Sequence, residues 1–245
     1  MVPRIPEMDF INVISLNFSG QANYFSKDKV SDVLPQNLTE FKAQILNLAS
    51  MNFLAHIFLS GEDEELILGN FFADSLKGKS YLKYPLGIQR GVVLHRAIDF
   101  YTDTHPTVRK SISRLFETYG HYSGIIVDIL YDHFLAAHWQ EYSPLPLDRF
   151  TTEFYDLLQR NYKILPKAVQ QFMPYMIRDN WLLSYATIEG IGRILYQMNE
   201  RTNRKSKMNF AVVELEKHYG EFEEEFLSFF EELQLFVKNK IELLD

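Results

Sequence analysis

From Met51 onward, apolar residues recur at the three-to-four-residue spacing of helices with one buried face. Phe53 to Leu59 is a short apolar segment stopped at Ser60-Gly61. Asp63 is placed to cap a helix with Glu64 and Glu65 in its first turn, running through Leu66, Leu68 and Phe71 to about Leu76. Pro85 and the Asp103-Thr104-His105-Pro106 turn bound a longer helix over Leu86 to Thr102. Helices are predicted next over Val108 to Tyr119, closed by Gly120, and over Ser123 to Trp139. Past the Ser143-Pro144-Leu145-Pro146 break come Leu147 to Asn161, Pro166 to Met176, Trp181 to Ser184 and Ile188 to Met198. The chain ends on Phe210 to Leu244, a long amphipathic helix that Gly220 is placed to interrupt. Glutamates line one side of it, and Phe222, Phe226, Phe229, Phe230, Leu233 and Phe236 the other. Alternating strand patterns are missing almost everywhere, so the fold class is all-α.

Residues 1–50 do not share this rhythm. Asn, Ser and Gln are scattered through them, and only Leu38 to Leu48 has the makings of a short helix. The expected organisation is an N-terminal extension over 1–50, poorly structured or translated from a misassigned start. A single helical domain over 51–245 follows it. The chain contains no cysteine, which removes disulfides, thiolate metal sites and a cysteine nucleophile and agrees with a reducing cytoplasm. No apolar run is long enough to span a bilayer, and the first residues lack a secretory pattern, so a cytoplasmic protein without a membrane partner is expected.

The formal charge of -7 argues against nucleic acid as a partner, but the charge is unevenly spread. Between Leu76 and Arg114 lie Lys77, Lys79, Lys83, Arg90, Arg96, Arg109, Lys110 and Arg114 against only Asp99 and Asp103. The stretch is either an ordinary solvated surface or a face for an anionic substrate or acidic partner.

The same stretch holds the chemistry. His95, Asp99 and Asp103 stand at i, i+4 and i+8 on one helix face flanked by Leu94 and Ile98, and Asp128 and Asp132 share a second face with His133 beside it. His56 and Asp74 are polar exceptions inside the apolar runs Phe53-Leu54-Ala55 and Phe71-Phe72-Ala73. Burying such groups unpaired costs roughly 2–7 kcal/mol each. Something positive has to meet them: a divalent metal, for which imidazole and carboxylate are suitable donors, or an arginine such as Arg90 or Arg96. A nucleophile elbow, a phosphate-binding glycine loop, a dinucleotide fingerprint and a His-Glu-x-x-His motif are all absent.

Four segments in order carry a family likeness. They are Met-Asn-Phe-Leu-Ala-His at 51–56, Gly-Asn-Phe-Phe-Ala-Asp at 69–74, Leu-His-Arg-Ala-Ile-Asp-Phe-Tyr-Thr-Asp at 94–103 and Asp-Ile-Leu-Tyr-Asp-His-Phe-Leu-Ala-Ala-His-Trp at 128–139. Together they closely resemble the acyl carrier protein phosphodiesterases, regarded as a non-standard branch of the His-Asp (HD) metal-dependent phosphohydrolases. The resemblance implies an HD-domain-like helical bundle that hydrolyses holo acyl carrier protein to the apo protein and 4′-phosphopantetheine. It also implies a divalent cation, manganese foremost, with iron, magnesium, cobalt or zinc as other candidates. The motif positions that land here as metal ligands are His56, Asp74, His95, Asp99, Asp132 and His133; Asp103 and His138 are motif positions too.

For that chemistry His133 or His105 is the expected proton donor to the leaving oxygen, and Arg96, Arg109 and Lys110 are expected to meet the phosphate or the carrier. Other functions remain open on the residues alone. One is an HD-type phosphohydrolase of a nucleotide or other small phosphodiester; another is a non-catalytic helical module with structural histidines.

Overall fold

The computed structural model describes residues 53–244, and all regular structure among them is helical. The expectation for residues 1–50 lies outside the described residues. The helices are α1 Phe53–Leu59, α2 Glu64–Phe72, α3 Leu86–Thr104, α4 Pro106–Tyr119, α5 Ser123–Ala137, α6 Trp139–Tyr142, α7 Leu147–Arg160, α8 Lys167–Arg178, α9 Trp181–Ser184, α10 Ile188–Arg201, α11 Ala211–Lys217 and α12 Tyr219–Glu242.

Local signals set the boundaries. The Asp63 carboxylate accepts from the backbone N–H of Glu65 and Leu66 at 2.9 and 3.1 Å and starts α2. His105 caps α4 through its ring nitrogen, which accepts from Thr107 N–H at 3.3 Å, with Pro106 at the first helical position. Helix α2 stops at Phe72, short of the expected Leu76, and passes into a 3₁₀ turn over Ala73–Ser75. The last helix is two, not one. The chain kinks at His218, just ahead of Gly220, while the N–H of His218 still bonds Glu214 and that of Phe222 bonds His218.

Helices α2 and α3 are the most intimately packed pair. Glycines make this possible: a Cβ on Gly69 would lie 2.1 Å from the Ile88 carbonyl oxygen, and one on Gly91 would lie 2.3 Å from that of Leu66. The backbones therefore touch, which sets the polar residues of α2 directly against His95. Helix α12 lies over α3, α4 and α5, burying Phe222, Phe226, Phe229, Phe230, Leu233 and Val237. Rings of Tyr131 and Phe134 on α5 meet that face, with centroids 5.6 and 5.9 Å from Phe226. Among the described residues no helix is long and apolar enough to cross a membrane.

Candidate metal centre

Three helices and one turn converge on a cluster of His56 (α1), Asn70 (α2), Asp74 (the turn after α2), His95 and Asp99 (α3). Asn70 is its organiser and is wholly buried. Its Nδ2 donates to the His56 carbonyl oxygen at 2.9 Å and to Ser60 Oγ at 2.8 Å. Those two acceptors fix which way the amide points. Its Oδ1 is thus left to accept from Nδ1 of His56 at 2.7 Å and Nδ1 of His95 at 3.2 Å. Both rings carry their hydrogen on Nδ1, so both present Nε2 to the same side. The rings stack with centroids 4.2 Å apart.

Facing these Nε2 atoms are carboxylates. His95 Nε2 lies 3.0 Å from Asp74 Oδ1 and 3.1 Å from Asp99 Oδ2. His56 Nε2 lies 3.3 Å from Asp99 Oδ1 but is not aligned for a hydrogen bond, and it is buried without one. The two imidazoles form the buried floor, while the side chains of Asp74 and Asp99 retain 31% and 37% of their exposure at the rim, open to a ligand. His56, His95 and Asp99 offer donor atoms within 4.8 Å of one another.

The electrostatics are one-sided. Burial draws the His95 pKa down, yet hydrogen bonds and charge from Asp74 and Asp99 outweigh it and leave it at about 9. Burial would raise Asp99, but His56 and His95 hold it well below the ordinary carboxylate range. Asp128 on α5 has no hydrogen-bond donor among the described residues. Burial, then the charges of Asp99, Asp103, Asp132 and Asp74, push its carboxyl far upward. Asp103 is raised by burial and by Asp99, against the opposing charge of Arg109. Asp99 lies against both imidazoles and Asp74 against that of His95, while Arg96, one of the arginines considered for this role, is turned to the Gly78 carbonyl oxygen and the Tyr81 ring. An orphaned buried imidazole nitrogen, a second ring held by the same amide oxygen in the same tautomer, and two half-exposed rim carboxylates fit a divalent cation.

The other expected residues are placed elsewhere. Asp132 is fully buried, and its oxygens accept from the backbone N–H of Leu54 and Ala55 at 2.9 Å each. It anchors the start of the helix that carries His56, and burial raises its pKa to about 8 despite those amides. His133 has both ring nitrogens engaged, Nδ1 donating to the Tyr185 carbonyl oxygen at 2.8 Å and Nε2 lying 3.3 Å from Tyr219 Oη. His105 caps α4 and faces Glu232 at 3.4 Å. Arg96 donates to the Gly78 carbonyl oxygen at 2.9 Å with its guanidinium 4.9 Å from the Tyr81 ring centroid. Arg109 donates to the Asp103 carbonyl oxygen, and Lys110 pairs with Glu225 at 3.1 Å. His138 lies between Glu141 and Glu223, at 3.0 and 2.8 Å.

Asn70 was not among the expected site residues. Its signal was a polar residue one turn before Asp74, directly ahead of the apolar run Phe71-Phe72-Ala73.

Fold and cluster together define an all-helical protein with a His/Asp centre suited to a divalent metal. Residues 51–233 match the family of acyl carrier protein phosphodiesterases. The chain is 31% identical over 191 residues to the acyl carrier protein phosphodiesterase of Serratia proteamaculans, covering 78% of this chain and 99% of that one. It is 32% identical to that of Yersinia pestis, covering 74% and 94%, and 32% identical to that of Escherichia coli O6:H1, again covering 74% and 94%. The chain belongs to the acyl carrier protein phosphodiesterase family. No solved structure matches it significantly.

Proposed function

We propose that this protein is a divalent-metal-dependent phosphodiesterase that releases 4′-phosphopantetheine from holo acyl carrier protein. The observation that carries the reading is the His56–Asp74–His95–Asp99 cluster, where two buried imidazoles and two half-exposed carboxylates converge and one imidazole nitrogen is left without a hydrogen bond. Family membership supplies the substrate.

His56 and His95 would hold the metal through Nε2, and Asp74 and Asp99 through carboxylate oxygens. A divalent cation there supplies a lowered pKa to bound water and neutralises charge on the phosphoryl oxygens. Asn70 does the orienting: by accepting from both Nδ1–H groups it keeps each Nε2 lone pair directed at the cluster. Asp132 contributes indirectly, because its carboxyl fixes the first turn of α1 and hence the position of His56.

In the hydrolysis, water oxygen adds to phosphorus, the bond from phosphorus to the serine oxygen breaks, and that oxygen takes up a proton. With His133 and His105 engaged elsewhere, we assign the proton to the carboxyls whose pKa is raised beside the cluster, Asp128 first and Asp103 second. Manganese is the metal we favour, ahead of iron, magnesium, cobalt and zinc. We place the catalytic unit at 51–245, supported by a family match that begins at residue 51, and the protein in the cytoplasm, where carrier proteins serve acyl metabolism.

The test is the mass of holo carrier protein after incubation with the purified full chain and manganese. Loss of the phosphopantetheine mass, abolished by EDTA, is expected. An unchanged mass with each of the five metals in turn would overturn the reading.

A further inference from the structure

The turn between Asp74 and α3 is shaped as a rigid basic platform beside the cluster. Successive turns link it internally: Ser80 N–H bonds the Lys77 carbonyl, Leu82 N–H that of Lys79, and Tyr84 N–H that of Tyr81. Two side chains from α3 clamp it from outside. Arg96 donates to the Gly78 carbonyl oxygen, where the backbone has φ 57°, and lies over the Tyr81 ring. Gln89 donates to the carbonyl oxygens of Leu82 and Tyr84 at 3.4 and 2.8 Å. Arg96 is thus a positioning residue for this segment. The start of the platform is tied to the candidate centre, since Asp74 precedes Lys77 and contacts His95, while Arg96, which holds Gly78, follows His95 on α3.

Lys77, Lys79 and Lys83 are exposed here and have no ion-pair partner among the described residues. The other end of the basic stretch is different: Lys110 and Arg114 are neutralised by Glu225. Large apolar side chains are exposed on the same elements, Leu82 within the platform at 54% and Phe100, one helical turn past Arg96 and next to Asp99, at 71%. Exposed cations around exposed apolar anchors, on one edge of an acidic protein, fit an acidic protein surface and repel little of it elsewhere only if docking is steered to this edge.

We propose that Lys77, Lys79 and Lys83, with Leu82 and Phe100, form the docking surface for an acidic carrier domain whose modified serine is delivered to the neighbouring cluster. This rests on the phosphodiesterase reading above.

The experiment compares full-length wild type, K77E/K79E/K83E and K77Q/K79Q/K83Q with manganese on two substrates, holo carrier protein and bis(p-nitrophenyl) phosphate. Expected are a rise in KM for the carrier of about tenfold for the glutamate variant and about threefold for the glutamine variant, with kcat held and a flatter salt dependence. The small diester should be hydrolysed as by wild type, which also reports intact folding. If the glutamate variant fails to fold, the glutamine variant decides. An unchanged KM for the carrier overturns the surface, and an equal loss on the small diester assigns the lysines to phosphate binding instead. Wild type that leaves the carrier intact brings down the phosphodiesterase reading, and the docking surface with it.

Discussion

Two places in this fold bury carboxylate beside basic side chains, and they resolve the charge in opposite ways. On α12, Glu225 is 5% exposed and receives Arg114 through paired contacts at 2.8 and 2.7 Å, Lys110 at 3.1 Å and the Ser111 hydroxyl. Burial would raise its pKa, yet Arg114, Ser111 and Lys110 bring it to about 2. Every demand there is met from within the chain, so the cluster is structural. Around His95 two carboxylates face two imidazoles, and the balance is incomplete, since one imidazole nitrogen is left without a hydrogen bond. A protein keeps such an imbalance where a ligand completes it.

The strongest way to break this comparison is to remove one charged side chain from each cluster and read both stability and activity. Asp99→Ala should lower kcat/KM on holo carrier protein by ~10³-fold or more, the scale of metal-supplied charge stabilisation. Its apo form should also lose some stability, because the attraction by which His56 and His95 hold the Asp99 carboxyl below its ordinary range goes with it. Retained activity in a steady-state assay with manganese would sink the metal assignment.

Arg114→Met is the mirror experiment. It leaves Glu225 buried with only Lys110 and the Ser111 hydroxyl and should cost about 3 kcal/mol in denaturant unfolding, the low end for breaking a buried pair. Activity of the folded fraction should be unchanged. A large kinetic effect with no loss of stability would mean that the two clusters are not distinct in role.

Much of this division was open to reading in the sequence, and what was not has a common cause. The helices followed from apolar spacing and end signals, as at Asp63 and Pro85. His95 and Asp99 were legible because both lie on one face, and His56 and Asp74 because they interrupt apolar runs. Local pattern cannot report partners far along the chain. Asp132 reads as a ligand, and nothing local reports that its oxygens accept from amides of residues 78 and 77 positions away. The bond from His133 Nδ1–H to the Tyr185 carbonyl, 52 positions on, is equally hidden. The basic stretch could not be split into free and spent charges before Glu225 was seen against Lys110 and Arg114. The interruption of the last helix was legible from Gly220, but its place at His218 was not, since an apolar stripe continues across it.

Asn70 sharpens the comparison from the other side, since it tunes the open cluster without touching charge. Asn70→Leu keeps the volume but strips both Nδ1–H groups of their acceptor. Manganese affinity, followed by the metal-dependent rise in melting temperature, should weaken by ~10–100-fold. Affinity equal to wild type would show that ring orientation does not depend on this amide.

The smallest effect is expected from acid. Glu225 has its folded-state pKa depressed to about 2, against an ordinary value of about 4.3. A depressed carboxylate gives stability that is fully present above the unfolded value and disappears as pH falls through the folded one. The unfolding free energy of wild type should therefore exceed that of Glu225→Gln at pH 6, and the gap should narrow steadily between about pH 4.5 and 2. A gap that stays constant over this range would mean that the Glu225 charge adds nothing to folding. The closed cluster would then owe its stability to packing and neutral hydrogen bonds, and the contrast with the open one would no longer be electrostatic.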